Sequence, residues 1–264
     1  MLKLHVIASG SKGNASVVED TSTGACICID CGISAREFFE GLRSSGIAPE
    51  NLRAILITHD HTDHTKGLGV VLRGLRKHGI EVPVFANAET RRVSADIRTI
   101  AEDFAFEDLE LDRPLAFDGM DVLPFRTSHD APFSCGFRLE TGGDALGYLT
   151  DSGILTPEAR AALARTRILA LESNHDPTML ATGPYPSWLK ARVGGERGHL
   201  SNVQAAEALD ELRWPGLEQV IAMHISENNN TYLLPPKVLA GALGTGEGAP
   251  SVVSAFQHLP RHIC

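Results

Sequence analysis

The segment Thr58-His59-Asp60-His61-Thr62-Asp63-His64 places three imidazoles and a spaced carboxylate directly behind the apolar run Ala54-Ile55-Leu56-Ile57. Imidazole and carboxylate together suit zinc, manganese and iron, with softness and geometry deciding among them. A solvated turn rich in histidine is the bland alternative. Loops behind buried strands are, however, where α/β folds hold their ligands. Alternation along an extended segment puts His59 and His61 on one side, and Asp63 can continue it. The spacing of Leu68, Val71, Leu72 and Leu75 predicts a helix over 65–77, which sets His64 near a helix start and away from the His59/His61 pair. One cluster can thus serve two neighbouring ions, His59 and His61 for one, Asp63 and His64 for the other.

The elements around this motif read as alternating strand-rich and helix-containing stretches, done twice. Strands are expected over 4–9, 16–19 and 25–30, then a helix over 35–45 capped by Ser34. A strand over 82–86 and a helix over 88–98 follow. Residues 115–150 are rich in strands, with hairpin signals at Asp118-Gly119 and Gly142-Gly143-Asp144. A helix over 157–164 precedes a strand over 168–171. Ser201 opens another helix, with Gln204 placed for a capping box, and a strand over 217–223 comes last. Residues 241–250 read as a loop, and the final residues, with His258 and His262, as ordinary structure or tail.

At 264 residues and 43% hydrophobic content, one large domain spanning 1–264, or two intimately packed halves, is the expectation. There is no run of eighteen apolar residues, which argues against a membrane span, and no signal-peptide pattern, so cytoplasm is the default. Cys26 and Cys28 lie on one face of an apolar strand. An odd total of five cysteines is poor material for disulfides, so Cys26, Cys28, Cys31, Cys135 and Cys264 read as buried free thiols. A formal charge of −9 is not the basic footprint of an avid nucleic-acid clamp. Two divalent ions would nonetheless add four positive charges locally, and weak, salt-sensitive binding is expected.

The H-x-H-x-D-H pattern resembles the signature of the metallo-β-lactamase superfamily, and the motifs expected after it are found in order. His129 follows a strand in Arg126-Thr127-Ser128-His129, Asp151 follows one in Gly147-Tyr148-Leu149-Thr150-Asp151, and His224 ends the strand near the C-terminus. Singly these could be a loop histidine, a helix cap and a strand-end histidine; together they match the family. The resemblance implies an α/β fold of the αβ/βα four-layer sandwich type, with the metals where its halves meet. It assigns His59, His61 and His129 to one ion and Asp63, His64 and His224 to the other, with Asp151 shared. Zinc or manganese is expected before iron.

Glu172-Ser173-Asn174-His175-Asp176 and Gly198-His199-Leu200-Ser201 are similar to loops that in the tRNA 3′-processing branch set a glutamate and a histidine beside the metals. The match gives His199, steadied by Glu172, the role of assisting the leaving oxygen. Taken with Ala8-Ser9-Gly10-Ser11-Lys12-Gly13-Asn14, Gly183-Pro184-Tyr185-Pro186 and His224-Ile225-Ser226-Glu227-Asn228-Asn229, the chain resembles the WalJ/YycJ-like branch along nearly its entire length. That resemblance implies a two-metal nuclease, a DNA exonuclease before an RNase, with 5′–3′ polarity. Absence of a large insert between Asp151 and His224, and of a long substrate-gripping arm, argues against tRNA maturation.

Two ions roughly 3.5–4 Å apart would supply the nucleophile and neutralise developing charge, with Asp63 also orienting the attacking oxygen. Ser11, Asn14, His175, Lys190 and Arg192 are candidate substrate contacts, and Lys12 and Arg197 further phosphate contacts. Solvated surface charge is the plainer reading of each basic side chain, as a hairpin turn is of residues 9–14. Two other classes are consistent with the same residues: a small-molecule hydrolase cleaving a thioester, lactone or phosphodiester, and a noncatalytic metal-stabilised binding protein. The full ligand set and the Glu172/His199 pair count against the latter. Oligomeric state is not legible.

Overall fold

The computed structural model describes residues 1–244, 246, 248–258 and 261–263. The chain divides into two compact units, one of Met1–Val122, Ala131–Phe133 and Phe256–Cys264, the other of Leu123–Asp130 and Ser134–Ala255.

The first unit is built on β1 (Leu2–Ala8), β2 (Ala15–Asp20), β3 (Cys26–Ile29), α1 (Ala35–Ser44), β4 (Leu52–Leu56), α2 (Thr62–Thr65), α3 (Leu68–Lys77), β5 (Val84–Ala86), α4 (Ala88–Val93), α5 (Ala95–Arg98) and β6 (Phe106–Asp108). Its seven-stranded sheet has the order β14-β1-β2-β3-β4-β5-β6, where β14 is Arg261–Ile263. Strands β1 to β3 pair antiparallel, and β3 to β6 run parallel. Parallel strands need apolar cover on both faces, and β3 (CICI) and the end of β4 (AIL) are fully buried. Phe38 and Leu42 of α1 and Leu68, Val71, Leu72 and Leu75 of α3 pack into one core with Ile55, Ile57 and Val84.

The second sheet has the order β13-β12-β11-β10-β9-β8-β7, from β7 (Leu115–Phe117), β8 (Met120–Arg126), β9 (Cys135–Thr141), β10 (Asp144–Leu149), β11 (Ile168–Glu172), β12 (Gln219–Met223) and β13 (Ser251–Ser254). Strands β10 to β13 run parallel. Helices α6 (Pro157–Leu163), α7 (Pro177–Thr182), α8 (Ser187–Val193), α9 (Asn202–Leu212) and α10 (Leu234–Leu243) connect them. Leu163 of α6 and Ala205, Leu209 and Leu212 of α9, with Leu169, Leu171 and Val220, form the core of the second unit. Both expected hairpin turns are present, and Asp118, Gly119, Gly142 and Gly143 all take positive φ, as two-residue turns of the primed type require.

Three expectations are corrected. The helix over 65–77 is broken into α2 and α3, because the Gly67 N–H turns to the Cys31 carbonyl and the Asp63 carbonyl accepts from the Asn14 N–H. A Cβ on Gly67 would lie 1.7 Å from the Ile33 carbonyl oxygen, so glycine is what permits that approach. The chain must pass that backbone before the helix resumes, and His64 therefore sits inside α2 rather than before a helix. The helix over 88–98 divides at Ser94, whose backbone is extended and whose side-chain Oγ caps α5 by accepting from the Ile97 N–H. The loop over 241–250 begins later than expected, since α10 continues to Leu243 and stops at Gly244 with φ 81°. Ser201 and Gln204 do form the reciprocal capping box of α9. No helix among the described residues is long and apolar enough to cross a membrane.

Cys26, Cys28, Cys31 and Cys135 are buried thiols. Burial pushes the Cys26 thiol up to about 12 and Cys28 and Cys31 well above the ordinary range, so these sulfurs are inert to nucleophilic chemistry. Cys264 and the His262 side chain lie outside the described residues.

Candidate metal and catalytic site

In each unit the chemically active side chains stand at the carboxyl ends of parallel strands. Asp30 follows β3 and Thr58-His59 follow β4; Asp151 follows β10, Glu172 ends β11 and His224 follows β12. This is where open α/β sheets bind ligands. Asp30, Asp151 and His224 all have positive φ, at 59°, 54° and 52°. The left-handed region disfavours side chains in general, but aspartate, asparagine and histidine enter it more readily than most. At each of these strand ends the chain turns sharply and turns a polar side chain out of the strand's alternation.

In the first unit Asp30 is fully buried and organises the histidine motif. Its carboxylate accepts from the Thr58 N–H (2.9 Å), from Thr58 Oγ1 (3.0 and 2.9 Å) and from His64 Nδ1 (2.7 Å). A carboxylate only accepts, so His64 carries its proton on Nδ1 and presents Nε2 as a lone pair. Thr58 has one hydroxyl proton and gives it to Asp30, so His59 Nδ1, 3.0 Å from Thr58 Oγ1, donates to it and likewise presents Nε2. The rings of His59 and His61 lie 4.6 Å apart, those of His59 and His64 4.1 Å, and His64 Nε2 is 3.6 Å from Asp63 Oδ2. Neutral imidazoles with fixed tautomers beside a carboxylate are the donor set a divalent ion needs.

The turn carrying these groups is clamped from below. Cys31 N–H donates to the His64 carbonyl, Gly67 N–H to Cys31, Asn14 N–H to Asp63 and Gly32 N–H to Asn14. A Cβ on Gly32 would fall 1.6 Å from the Asp63 carbonyl oxygen. Gly32→Ala is therefore expected to cost about 1–3 kcal/mol, the range of an overpacked core, and to displace Asp63. Urea unfolding and divalent-metal titration should both register it; an alanine variant with unchanged midpoint and metal affinity would refute the clamp.

In the second unit Asp151, Glu172, His199 and His224 bring their ligand atoms within 4.8 Å of one another. Asp151 Oδ1 is the hub, 3.8 Å from His129 Nε2, 3.7 Å from His224 Nε2 and 3.6 Å from His199 Nδ1. His129 Nδ1 faces the Gly198 carbonyl at 3.0 Å, which again fixes the proton on Nδ1. Glu172 is fully buried, with both of its oxygens facing donors. Oε1 accepts from His199 Nδ1 (2.8 Å) and lies 3.2 Å from His224 Nδ1, while Oε2 accepts from the Ser152 (2.8 Å) and Leu200 (3.2 Å) N–H groups. Burial opposes its ionisation, but the charge and hydrogen bonds of His199 and His224 outweigh that and hold the carboxyl well below the usual carboxylate range. The Asp151 helix-cap alternative is not realised: Thr156 caps α6.

The expected substrate contacts divide. Ser11 is exposed. Asn14 is buried, its amide directed to the Gly10 carbonyl (3.1 Å), Asp63 Oδ2 (3.3 Å) and His64 Nε2 (3.1 Å), so it braces the motif rather than facing solvent. His175 is buried, and desolvation lowers it to about 4, which keeps it neutral at pH 7. Lys190 Nζ donates to the Ala181 carbonyl, Arg192 pairs with Asp130, and Arg197 donates to the His129 carbonyl at 3.2 and 3.1 Å. Lys12 has its backbone N–H on Gln257. Asp30, Asn174 and Asn230 escaped the sequence reading. Asn174 Nδ2 holds the His224 carbonyl at 2.7 Å, and Asn230 ties the Ser173 and Asn174 carbonyls to Asn202. Only Asp30 left a signal, as an acid ending the otherwise apolar run Cys26-Ile27-Cys28-Ile29.

Residues 26–225 match the family described as the beta-lactamase superfamily domain. The chain is 30% identical over 247 residues to the exodeoxyribonuclease WalJ of Streptococcus pneumoniae, covering 93% of this chain and 89% of that one. It is 29% identical to the exodeoxyribonuclease YycJ of Bacillus anthracis, covering 87% and 84%. Among solved structures, the metallo-β-lactamase fold protein YhfI of Bacillus subtilis superposes with a TM-score of 0.73 at 15% identity, over 99% of each chain. With two mixed sheets, helices between their strands, and these relatives, the chain belongs to the metallo-β-lactamase superfamily of metal-dependent hydrolases, in its WalJ/YycJ-like branch.

Proposed function

We propose that the chain is a two-metal phosphodiester hydrolase acting on nucleic acid, a DNA exonuclease of 5′–3′ polarity, with residues 1–264 acting as one domain in the cytoplasm. The observation that carries the phosphodiester reading is the saturated Glu172 carboxylate. It fixes His199 against the Asp151 hub, where a proton donor for a poor leaving group belongs. The names of the two curated relatives support DNA as the substrate.

The residues that would hold the ions are His59, His61 and His129 for one and Asp63, His64 and His224 for the other, with Asp151 shared. The tautomers fixed by Asp30, Thr58 and the Gly198 carbonyl fit that role, and the set suits zinc or manganese. When bound, such ions supply a nucleophile at neutral pH and neutralise phosphoryl charge. Asp63 orients the attacking oxygen, and His199 delivers a proton to the departing strand.

The test is cleavage by metal-stripped protein given Zn²⁺ or Mn²⁺, on single and double strands labelled at the 5′ or 3′ end. Metal-dependent cutting is expected, absent in His61→Ala, with mononucleotides released first from the 5′ end. Turnover of a thioester or bis-p-nitrophenyl phosphate without any cutting of DNA would replace this reading with a small-molecule hydrolase.

A further inference from the structure

The chain has two tryptophans, and they are placed in opposite ways. Trp214 lies against the core of the second unit, with its indole N–H on the Thr166 carbonyl at 2.8 Å. Trp188 is 67% exposed on α8, a helix with no buried residue. A buried indole would remove roughly 150–250 Å² from water, so Trp188 gives up a large gain and contributes nothing to a core.

Its surroundings say what covers it. The helix sequence Ser187-Trp188-Leu189-Lys190-Ala191-Arg192-Val193 carries two cations and no acid. Trp188 and Arg192, four apart, share a face. Arg192 is paired with Asp130, which adjoins His129, yet its side chain stays 52% exposed. The helix is also tied to the proton donor, since His199 N–H donates to the Val193 carbonyl at 2.9 Å. From Trp188 to Val193 is about 7.5 Å along the axis, or about two stacked base steps.

Resting on the nucleic-acid reading above, we propose that Trp188 is a stacking platform for an unpaired base flanking the scissile phosphate. Arg192 meets the backbone beside it. Aromatic stacking needs a base freed from its neighbours and tolerates any sequence, because every base has a π-face. The site therefore grips single-stranded or frayed strand ends in preference to intact duplex.

The experiment is fluorescence titration of the metal-loaded protein with a short phosphorothioate oligothymidylate, which resists cleavage. Binding is expected to quench tryptophan emission in the wild type and to leave it unchanged in Trp188→Phe, which keeps Trp214. Affinity should fall about tenfold in Trp188→Ala and recover in Trp188→Phe, while affinity for a blunt duplex changes far less. Wild-type binding with unaltered emission, or an alanine variant with undiminished preference for single strands, overturns the assignment. So does an emission shift on simple dilution, which would mean that a second copy covers the indole. If DNA is cut while Trp188 stays silent, this inference alone fails. If no oligonucleotide is bound or cut while bis-p-nitrophenyl phosphate is turned over, the nuclease reading fails with it.

Discussion

Asp151→Asn is expected to lower kcat for phosphodiester cleavage by on the order of a thousandfold, with little change in the fold. The substitution is clean on physical grounds. Asp151 sits at φ 54° after β10, and asparagine tolerates that conformation as well as aspartate does. Side-chain volume is nearly unchanged, so the buried turn need not move. What disappears is the single negative charge towards which His129, His199 and His224 all point from 3.6–3.8 Å. On the proposed ligand set, a neutral amide would neither balance two divalent ions nor serve both of them. Several kcal/mol of transition-state charge stabilisation therefore goes, and each 1.36 kcal/mol is about tenfold in rate. Metal content by elemental analysis and kcat should fall together while the thermal midpoint of the metal-free protein holds. A variant retaining both metals and full activity would remove Asp151 from the ligand set.

The sequence spoke clearly wherever chemistry was local. The Ser201/Gln204 capping box and the primed hairpins depend on neighbours a few residues away, and their geometry follows the spacing. The His59-to-His64 motif does so only in part, since His64 lies inside α2 with its ring 4.1 Å from that of His59, nearer than the His61 ring at 4.6 Å. Asp151, Glu172, His199 and His224 were singled out only by resemblance, because three of them stand at the ends of different strands and His199 precedes a helix. What escaped was fixed by contacts between distant segments. A well-patterned helix breaks at Gly67 because its N–H turns to the Cys31 carbonyl, thirty-odd residues earlier. Asp30 acts on His64 across thirty-four positions. The partners of Lys190 and Arg197 were invisible for the same reason: which carbonyl a cation reaches depends on what the fold brings to it. In the sequence, each looked equally available to phosphate.

Glu172→Gln is the second substitution with a large expected effect, and it separates proton donation from metal chemistry. The carboxylate faces donors on both oxygens, imidazole N–H groups of His199 and His224 at Oε1 and backbone N–H groups of Ser152 and Leu200 at Oε2. Glutamine offers one acceptor oxygen and one amide. Whichever way it turns, an NH₂ must face either two imidazole protons or two peptide protons. The backbone N–H groups cannot change, so the amide oxygen goes to Ser152 and Leu200, and the NH₂ meets the rings. His199 must then move its proton to Nε2 or swing away, and in either case it loses the anion that supports a cationic donor. Loss of a positioned general acid costs about 10²–10⁴ in rate, and His199→Ala should fall in the same range. The discriminating readout is the leaving group. Departure of a DNA alkoxide needs a proton, whereas p-nitrophenolate leaves well without one. Both variants should therefore lose far more activity on DNA than on bis-p-nitrophenyl phosphate, while Asp151→Asn loses comparably on both. Equal losses on the two substrates in Glu172→Gln and His199→Ala would show that the pair serves the metals and not the leaving strand.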